Sequence, residues 1–192
     1  MVTERRIQKM KRILNFRQTD LTVVCENIHD PHNVSAILRS CDAVGVDAVQ
    51  LIYNTETFPS LGKKSSASAK KWLSIKHFKS YPELRKYLKK QDMTLYATYI
   101  DPSARSIFEV DWTKPAAIIM GNEHRGVSTE AREIADQLIF IPMFGMIESL
   151  NVSVATAVIL YEACRQRLLN RQYHDSKDQA WIKRNLNRWL KL

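Results

Sequence analysis

Two histidines and an asparagine follow the first apolar run of the sequence. His29 and His32 have the spacing of a metal-binding pair. A proline separates them and no third ligand is spaced with them, so zinc binding is a weak interpretation and we expect no metal. Asn33 and Ser35 either cap the helix that follows or belong to a functional site, and the sequence leaves both alternatives open.

A second polar segment, MGNEHRGVS, occupies residues 120–128, where a buried-looking strand runs into Glu123 and Arg125 between two glycines. Ligands of open α/β sheets bind beyond the carboxyl ends of the strands, and glycines let a ligand approach the backbone closely. The alternative is an ordinary polar turn between a strand and a helix. The sequence has neither GxGxxG nor GxxxxGKS/T, so the usual dinucleotide and phosphate-loop fingerprints are absent.

A third segment, residues 141–158, leads from a methionine-rich apolar loop through Glu148, Ser149 and Asn151 into an apolar helix. Burying serine and asparagine costs free energy unless they find hydrogen-bond partners, which a ligand or the backbone supplies. We therefore predict a pocket at this loop. The alternative is a capped helix that follows a hydrophobic loop.

Short apolar runs alternate with amphipathic segments around these loops. Runs rich in β-branched residues predict strands at 21–27, 47–53, 73–78, 93–100, 115–120 and 137–142. Apolar spacings of three and four predict helices at 31–45, 82–90, 129–136 and 152–169. The last of these is apolar nearly all round for its first three turns, so we expect that part to be buried. The alternation favours an α/β fold with a mainly parallel sheet flanked by helices.

The basic residues are concentrated near the two ends of this 192-residue chain, whose formal net charge is +9. The first twenty residues hold six Lys and Arg against two acids, and residues 165–192 hold eight against two. Both ends also carry apolar residues at helical spacing. We expect two basic amphipathic helical arms docked on a near-neutral body. Such arms suit RNA, and a membrane surface is the main competing partner.

Three further features bound the class of protein. The segment 60–71 is small, polar and basic, which predicts a mobile surface loop that could meet phosphate. No apolar stretch has the length of a signal peptide or a membrane span, so we expect a cytoplasmic protein. Three cysteines without close pairing predict buried thiols.

The three segments together resemble the motifs of the SpoU/TrmH family of the SPOUT methyltransferases. The resemblance rests on NVSAILRSCDAVGV, IIMGNEHRGV and IPMFGMIESLNVSVATAVILYEACRQR, in that order, and spans most of residues 20–168. It implies a methyltransferase domain at 20–168 between an N-terminal arm at 1–19 and a C-terminal arm at 169–192. It also implies a C-terminal deep trefoil knot, which is rare among folds. The implied activity is S-adenosylmethionine-dependent 2′-O-methylation of guanosine 18 in the D-loop of tRNA, by a homodimer with its active sites at the subunit interface.

The resemblance also implies roles for individual residues. The implied catalytic positions are Asn33, Arg39, Glu123, Ser149 and Asn151. The implied cofactor-binding positions are Thr98, Gly121, Asn122, Ile141, Met146, Ser149 and Leu150. RNA contacts are expected at the basic residues Arg5, Arg6, Lys9, Arg12, Arg39, Lys63, Lys64, Arg125 and Arg167.

Three other functions compete with this one. An enzyme of the same fold could act on ribosomal RNA or on another tRNA position. A non-catalytic RNA-binding module is a different class of protein, and the intact implied catalytic residues argue against it. A nicotinamide-dependent enzyme is disfavoured because the fingerprint glycines are missing.

Overall fold

The computed structural model describes residues 2–59, 69–174 and 177–191. Seven parallel strands form one sheet in the order β3-β2-β1-β6-β4-β7-β5. The strands are β1 (Gln18–Glu26), β2 (Val46–Ile52), β3 (Ser74–Phe78), β4 (Thr94–Thr98), β5 (Arg105–Ser106), β6 (Ala116–Met120) and β7 (Gln137–Phe140). The helices are α1 (Glu4–Asn15), α2 (Pro31–Ala43), α3 (Ala69–Trp72), α4 (Tyr81–Lys89), α5 (Thr129–Ile134), α6 (Val152–Leu169) and α7 (Gln179–Leu190). This confirms the predicted α/β class with a parallel sheet.

Side chains on successive residues of a strand point to opposite faces, and this alternation builds two separate cores. Val23 and Cys25 of β1 belong to the core beneath α2 and α6, whereas Val24 belongs to the core beneath α4 and α5. Both faces of the central strands are therefore covered by helices, as is usual for parallel sheets. Because all strands run the same way, the loops that follow them emerge at one edge of the sheet, the carboxyl edge. The loops that precede them lie at the opposite, amino edge.

Helix α6 differs from its prediction. Its first turns were expected to be buried, yet Val154 is 48 % exposed and Tyr161 is 58 % exposed. Thr156, Ile159 and Ala163 face the core, but the sheet and α2 cover only that side of the helix. The expectation is wrong for a single chain, because the apolar outer face has no partner among the described residues.

The two terminal helices pack against each other and form a third, smaller cluster. Met10 and Leu14 of α1 meet Leu186 and Trp189 of α7. The side chain of Thr3 accepts a hydrogen bond from the backbone N–H of Arg6 at the start of α1, and Asp178 caps α7 in the same way. The amphipathic spacing at both ends thus does correspond to helices. The arm and domain boundaries at 19 and 169 stay predictions.

Arg167 corrects one sequence-based expectation. It was expected to contact RNA, but its side chain is fully buried. Its guanidinium donates to the carbonyls of Trp112 and Lys114 and to the side chains of Gln18 and Asp20, with 2.6 Å between Nη1 and the Asp20 carboxylate. The prediction is wrong because this cation holds the end of α6 to the amino edge of the sheet.

Smaller differences concern short or undescribed segments. Of the predicted loop 60–71, residues 60–68 lie outside the described residues, and Ala69–Trp72 form α3. Strand β5 was not predicted, because two residues are too short to show a pattern. Cys25 and Cys41 are buried as predicted, and Cys164 is half-buried. Within the described ranges, no helix is long and apolar enough to cross a membrane.

Candidate active site

A cavity of about 610 Å³ opens at the carboxyl edge of the sheet, where β4, β6 and β7 end. We call it the carboxyl-edge cavity. Eight of the predicted cofactor-binding or catalytic positions line it, namely Thr98, Gly121, Asn122, Glu123, Ile141, Ser149, Leu150 and Asn151. Tyr99, Ile139, Met143 and Val152 add apolar and aromatic surface. Both polar segments that were predicted to form a site, 120–128 and 141–158, therefore contribute to one cavity.

A chain of hydrogen bonds joins the three polar segments beside this cavity. The Asn33 side-chain amide donates to the Glu123 carboxylate at 2.9 Å, and the Asn151 amide donates to the Asn33 carbonyl oxygen at 3.0 Å. The same carboxylate accepts the backbone N–H groups of His29 and Asp30 at 3.0 and 3.1 Å. Three residues far apart in the sequence thereby fix the start of α2, the loop after β6 and the start of α6 relative to one another.

Burial and hydrogen bonding act in opposite directions on Glu123. Burial raises the pKa of its carboxyl group. Hydrogen bonds from Asn33 and from the backbone of His29 and Asp30 lower the pKa by a larger amount, so the net pKa lies below the ordinary value of 4.5. The carboxylate is therefore ionised at neutral pH. An ionised acceptor makes stronger hydrogen bonds to these donors than a neutral one, which supports a fixed geometry at the cavity wall.

The helix caps answer the alternatives that the sequence left open. Asp30 caps α2 by accepting from the backbone N–H of His32 at 2.7 Å, and Asn33 and Ser35 lie inside the helix, so neither is its cap. Asn151 does cap α6, through its side-chain oxygen and the backbone N–H of Ser153 at 2.8 Å. Asn151 therefore both caps the helix and belongs to the hydrogen-bonded chain beside the cavity, because its amide nitrogen donates to Asn33.

The loop after β6 is a tight turn, and its glycines serve the turn itself. The backbone groups of Asn122 and Gly126 exchange hydrogen bonds of 3.0 and 2.8 Å, and the Asn122 side chain donates to the carbonyl of Asn27 at 2.8 Å. A Cβ atom on Gly121 would lie 2.2 Å from the Gly126 backbone. Gly126 has a positive φ of 67°, which favours glycine. We expected these glycines to admit a ligand, but the close approach at Gly121 is to its own turn.

The family of the chain follows from comparison with known proteins. The model of the SpoU rRNA Methylase family matches residues 20–161. The chain belongs to this family. It is 45 % identical over 190 residues to the tRNA (guanosine(18)-2'-O)-methyltransferase of Thermus thermophilus. The aligned residues cover 98 % of this chain and 97 % of the relative.

Solved structures support the same placement of this SpoU-family chain. The crystal structure of the Aquifex aeolicus TrmH/SpoU tRNA modifying enzyme superposes with a TM-score of 0.91 at 38 % identity, covering 98 % of this chain and 96 % of that one. The SpoU methyltransferase AviRb from Streptomyces viridochromogenes, solved in complex with the cofactor AdoMet, gives a TM-score of 0.70 at 28 % identity. That match covers 79 % of this chain and 62 % of AviRb.

Not every predicted site residue of this SpoU-family chain reaches the cavity. Arg39 is exposed on the outer side of α2 and is not among the described residues that line the cavity. Met146 is 99 % exposed on the 143–147 loop and does not line the cavity of the single chain, so its assignment to the cofactor pocket stays a prediction. Arg125 is also exposed and pairs with Glu56 at 2.6 Å.

The basic residues expected to bind RNA lie in three different settings. Arg5, Arg6, Lys9 and Arg12 are exposed on α1, and Lys63 and Lys64 lie outside the described residues. Arg167 is buried, as described above. Across the described part of the chain, no group of three or more His, Cys, Asp or Glu is placed to hold a metal ion.

Sequence reasoning missed a buried carboxylate that supports the turn after β6. Glu26 at the end of β1 is 1 % exposed; it accepts from the Tyr81 hydroxyl at 2.5 Å and from the Ser128 backbone N–H at 3.2 Å. Burial, together with the hydrogen bond to Glu26, raises the pKa of Tyr81 to about 12, so the hydroxyl stays protonated as the donor. The signal was present in the sequence as an acid that ends an apolar strand.

Proposed function

We propose that this chain is an S-adenosylmethionine-dependent RNA 2′-O-methyltransferase whose substrate is guanosine 18 of tRNA. The observation that carries the proposal is the match to a relative of that name along nearly the whole length of both chains, terminal helices included. The carboxyl-edge cavity supports the enzyme class, because it combines apolar walls with hydrogen-bonding groups at the ends of parallel strands. The cytoplasmic location stays a prediction.

The carboxyl-edge cavity fits the cofactor in size and in chemistry. Its volume of about 610 Å³ falls within the range of about 300–1,000 Å³ typical of small-molecule sites. Apolar side chains such as Ile139 and Leu150 suit the adenosine ring, and the hydroxyls of Thr98 and Ser149 suit its polar groups. We assign cofactor binding to these residues and to the turn that begins at Gly121. The bound cofactor supplies an electrophilic methyl group on a sulfonium.

The residues of the chain must then place and activate a ribose hydroxyl. Glu123, Asn33 and Asn151 act by holding the cavity walls in register, which matters because small errors in the position of reacting groups lower rates steeply. We assign Arg39 to the ribose-phosphate, as or beside the proton acceptor. Free arginine is protonated far above neutral pH, so this role requires a strongly perturbed guanidinium or a phosphate that relays the proton.

We also propose that the protein is a homodimer joined through α6 and the 143–147 loop. Phe144, Ile147, Val154 and Tyr161 are between 48 % and 98 % exposed. Exposed apolar groups at this density are typical of an interface. A Tyr161→Glu variant is expected to run as a monomer in light scattering. Phe108→Glu, at a residue that is 60 % exposed and lies outside α6 and the 143–147 loop, is expected to keep the mass of the wild type. A wild-type monomer at micromolar concentration would contradict the dimer.

In the proposed dimer, the interface lies beside α2, so the exposed Arg39 side chain can reach the cavity of the other subunit. We therefore propose that Arg39 serves the cavity of the partner subunit. Heterodimers of an Arg39→Ala subunit with a Glu123→Gln subunit test this directly. One of their two sites would combine an intact Glu123 with an intact Arg39, so about half of the wild-type activity should return. If Arg39 serves its own cavity, both sites are defective and no activity returns.

The proposal extends to the knot and to the arms. Support for the knot comes from the path of the chain after β7, which lies near one end of the sheet. From there the chain returns as α6, which packs beside α2, and Arg167 at the end of α6 binds Asp20 at the start of β1. Support for RNA binding by the arms comes from the exposed cations of α1. If these replace counterions on the RNA, the affinity falls with salt, and the slope decreases by about one for each phosphate contact removed by mutation.

A ribosomal RNA substrate is the second candidate, because the matching family model is described by that activity. One experiment separates the two. Labelled methyl is transferred from S-adenosylmethionine to an unmodified tRNA transcript, and a matched transcript carries 2′-deoxyguanosine at position 18. The proposal predicts label in the D-loop that is absent from the deoxy control. Label that persists in the control, or label on ribosomal RNA alone, would contradict the assigned substrate.

A further inference from the structure

A second cavity, of about 650 Å³, lies at the opposite, amino edge of the sheet. We call it the amino-edge cavity. It sits between the terminal helices and the residues that precede β1, β2 and β3. Four aromatic side chains line it, namely Phe16, Trp72, Tyr173 and Trp189. Arg17 and Asp42 also line it, and Arg6 and Lys9 stand at its exposed side on α1. The proposed methyl transfer makes no use of this cavity.

Two buried nitrogen donors of this cavity have no hydrogen-bond partner within the described chain. They are Nε of Arg17 and Nε1 of Trp189, whose side chains are 0 % and 2 % exposed. The other nitrogens of Arg17 are in use, since they donate to the Val46 carbonyl at 2.8 Å and to Asp42 at 2.5 Å. Buried donors are rarely left unpaired in folded proteins, because each costs free energy. Both nitrogens lie beneath the cavity wall, so a ligand with acceptor atoms reaches them only when the side chains that line the cavity move aside.

The charges divide the amino-edge cavity into two parts. Inside, the Asp42 carboxylate balances the Arg17 guanidinium, so the interior suits a neutral group. Outside, Arg6 and Lys9 are exposed cations and suit an anion. Aromatic rings favour a flat ring as the neutral group. The ligand class that combines a flat, neutral, acceptor-rich ring with an adjoining anion is a nucleotide.

We propose that the amino-edge cavity binds one unstacked nucleotide of the RNA substrate, with the base inside and its phosphate on Arg6 and Lys9. The inference rests on the proposed function for the RNA partner. Base stacking on aromatic side chains tolerates different sequences, so the cavity would add affinity for a splayed nucleotide rather than select one target base. The terminal helices would then read the shape of the RNA at a distance from the reacting ribose.

The test narrows the cavity without disturbing the core. Ala43 is exposed at the end of α2 and lines the cavity, so Ala43→Leu narrows it at a helix position where leucine is well tolerated. Ala180→Leu, on the exposed side of α7, is the matched control. We expect Ala43→Leu to weaken binding of an unmodified tRNA transcript by about ten-fold, because base–aromatic stacking has that magnitude. Ala180→Leu is expected to bind like the wild type.

Salt dependence separates this site from simple charge attraction. Ala43→Leu removes no cation, so the slope of affinity against salt should match that of the wild type, whereas Arg6→Ala should reduce it by about one. Ultraviolet cross-linking of the wild-type complex should attach RNA to a peptide that contains Phe16, Trp72, Tyr173 or Trp189. Equal affinity of Ala43→Leu and Ala180→Leu would overturn the inference, and so would cross-links confined to other peptides.

Failure of the inference and failure of the proposed function give different results. If the wild type methylates tRNA but Ala43→Leu leaves RNA binding unchanged, the inference fails and the function stands. If the wild type transfers no methyl yet Ala43→Leu still weakens RNA binding relative to Ala180→Leu, the nucleotide site stands without the assigned reaction. Thermal unfolding and light scattering on both variants ensure that the comparison is made between equally folded proteins of the same mass.

Discussion

The two cavities have nearly the same volume, about 610 and 650 Å³, but they are built in opposite ways. At the carboxyl edge, Glu123, Asn33 and Asn151 satisfy one another before any ligand arrives. At the amino edge, Arg17 and Trp189 keep donors that nothing in the described chain satisfies. The first arrangement fixes geometry for a reaction, and the second leaves binding capacity open. The difference shows that the same sheet supports a rigid site and an incomplete one.

The largest expected effect concerns the scaffold of the amino edge. Arg167→Met leaves the acceptors of Gln18, Asp20, Trp112 and Lys114 without their shared cation. Breaking a buried charge network in this way costs about 3–5 kcal/mol of the free energy of unfolding. Denaturant titration measures that loss. A change below about 1 kcal/mol would mean that the guanidinium does not hold α6 to the sheet.

A smaller effect is expected at the carboxyl edge. Glu123→Gln places an amide nitrogen opposite the backbone N–H of either His29 or Asp30, because these two donors bind different carboxylate oxygens. Stability should fall by about 1.5–3 kcal/mol, the value of hydrogen bonds to a charged group. The rate of methyl transfer should fall at least about 100-fold, because the three segments lose their register.

The stability lost in Glu123→Gln should depend on pH in a defined direction. The folded-state pKa of Glu123 lies below its ordinary value of 4.5, so the carboxylate contributes stability above that pH and loses it as the pH falls through the folded-state pKa. The difference in melting temperature between the wild type and Glu123→Gln should be constant near neutral pH and should shrink below about pH 4.5. A difference that grows on acidification would contradict the assigned network.

The smallest expected effect is a difference in stability between substitutions of two buried tryptophans, one with a paired indole donor and one without. The indole Nε1 of Trp112 donates to the Ile107 carbonyl at 2.8 Å, whereas that of Trp189 has no partner in the described residues. Both substitutions lose buried ring area, but Trp112→Phe also leaves a buried carbonyl without its donor, so Trp112→Phe should cost about 1–3 kcal/mol more than Trp189→Phe. Equal losses would show that the Trp189 donor is satisfied, and would remove one support for the nucleotide site.

The sequence predicted elements better than it predicted exposure. Apolar spacings of three and four located the helices around Asn33 and Asn151, and runs rich in β-branched residues located six of the seven strands, since both patterns follow from burial in the core. The outer face of α6 could not be predicted, because Val154 and Tyr161 look like core residues whether they meet the sheet or a second chain. Arg167 was misassigned for a related reason: charge near a chain end indicates solvent, and only the fold reveals the carbonyls that surround it.

The candidate site was partly within reach of the sequence. Motif order and strand ends brought Glu123, Ser149 and Asn151 to one edge, and the structure places them there. The link from Asn33 to both Glu123 and Asn151 could not be predicted, because it spans 90 and 118 residues and depends on how two loops fold back. The amino-edge cavity had no signal at all, since its aromatic rings come from four separate elements and match no local pattern.

Single-turnover methyl transfer over a range of tRNA concentrations tests most directly whether the two edges have separate tasks. We predict that Ala43→Leu reaches the wild-type rate at saturating tRNA and only needs about ten-fold more RNA to do so. Glu123→Gln should stay slow at every concentration, because its defect lies in the geometry of the reacting groups. A maximal rate that falls in Ala43→Leu, or recovers in Glu123→Gln at high tRNA, would contradict the division between catalysis at the carboxyl edge and binding at the amino edge.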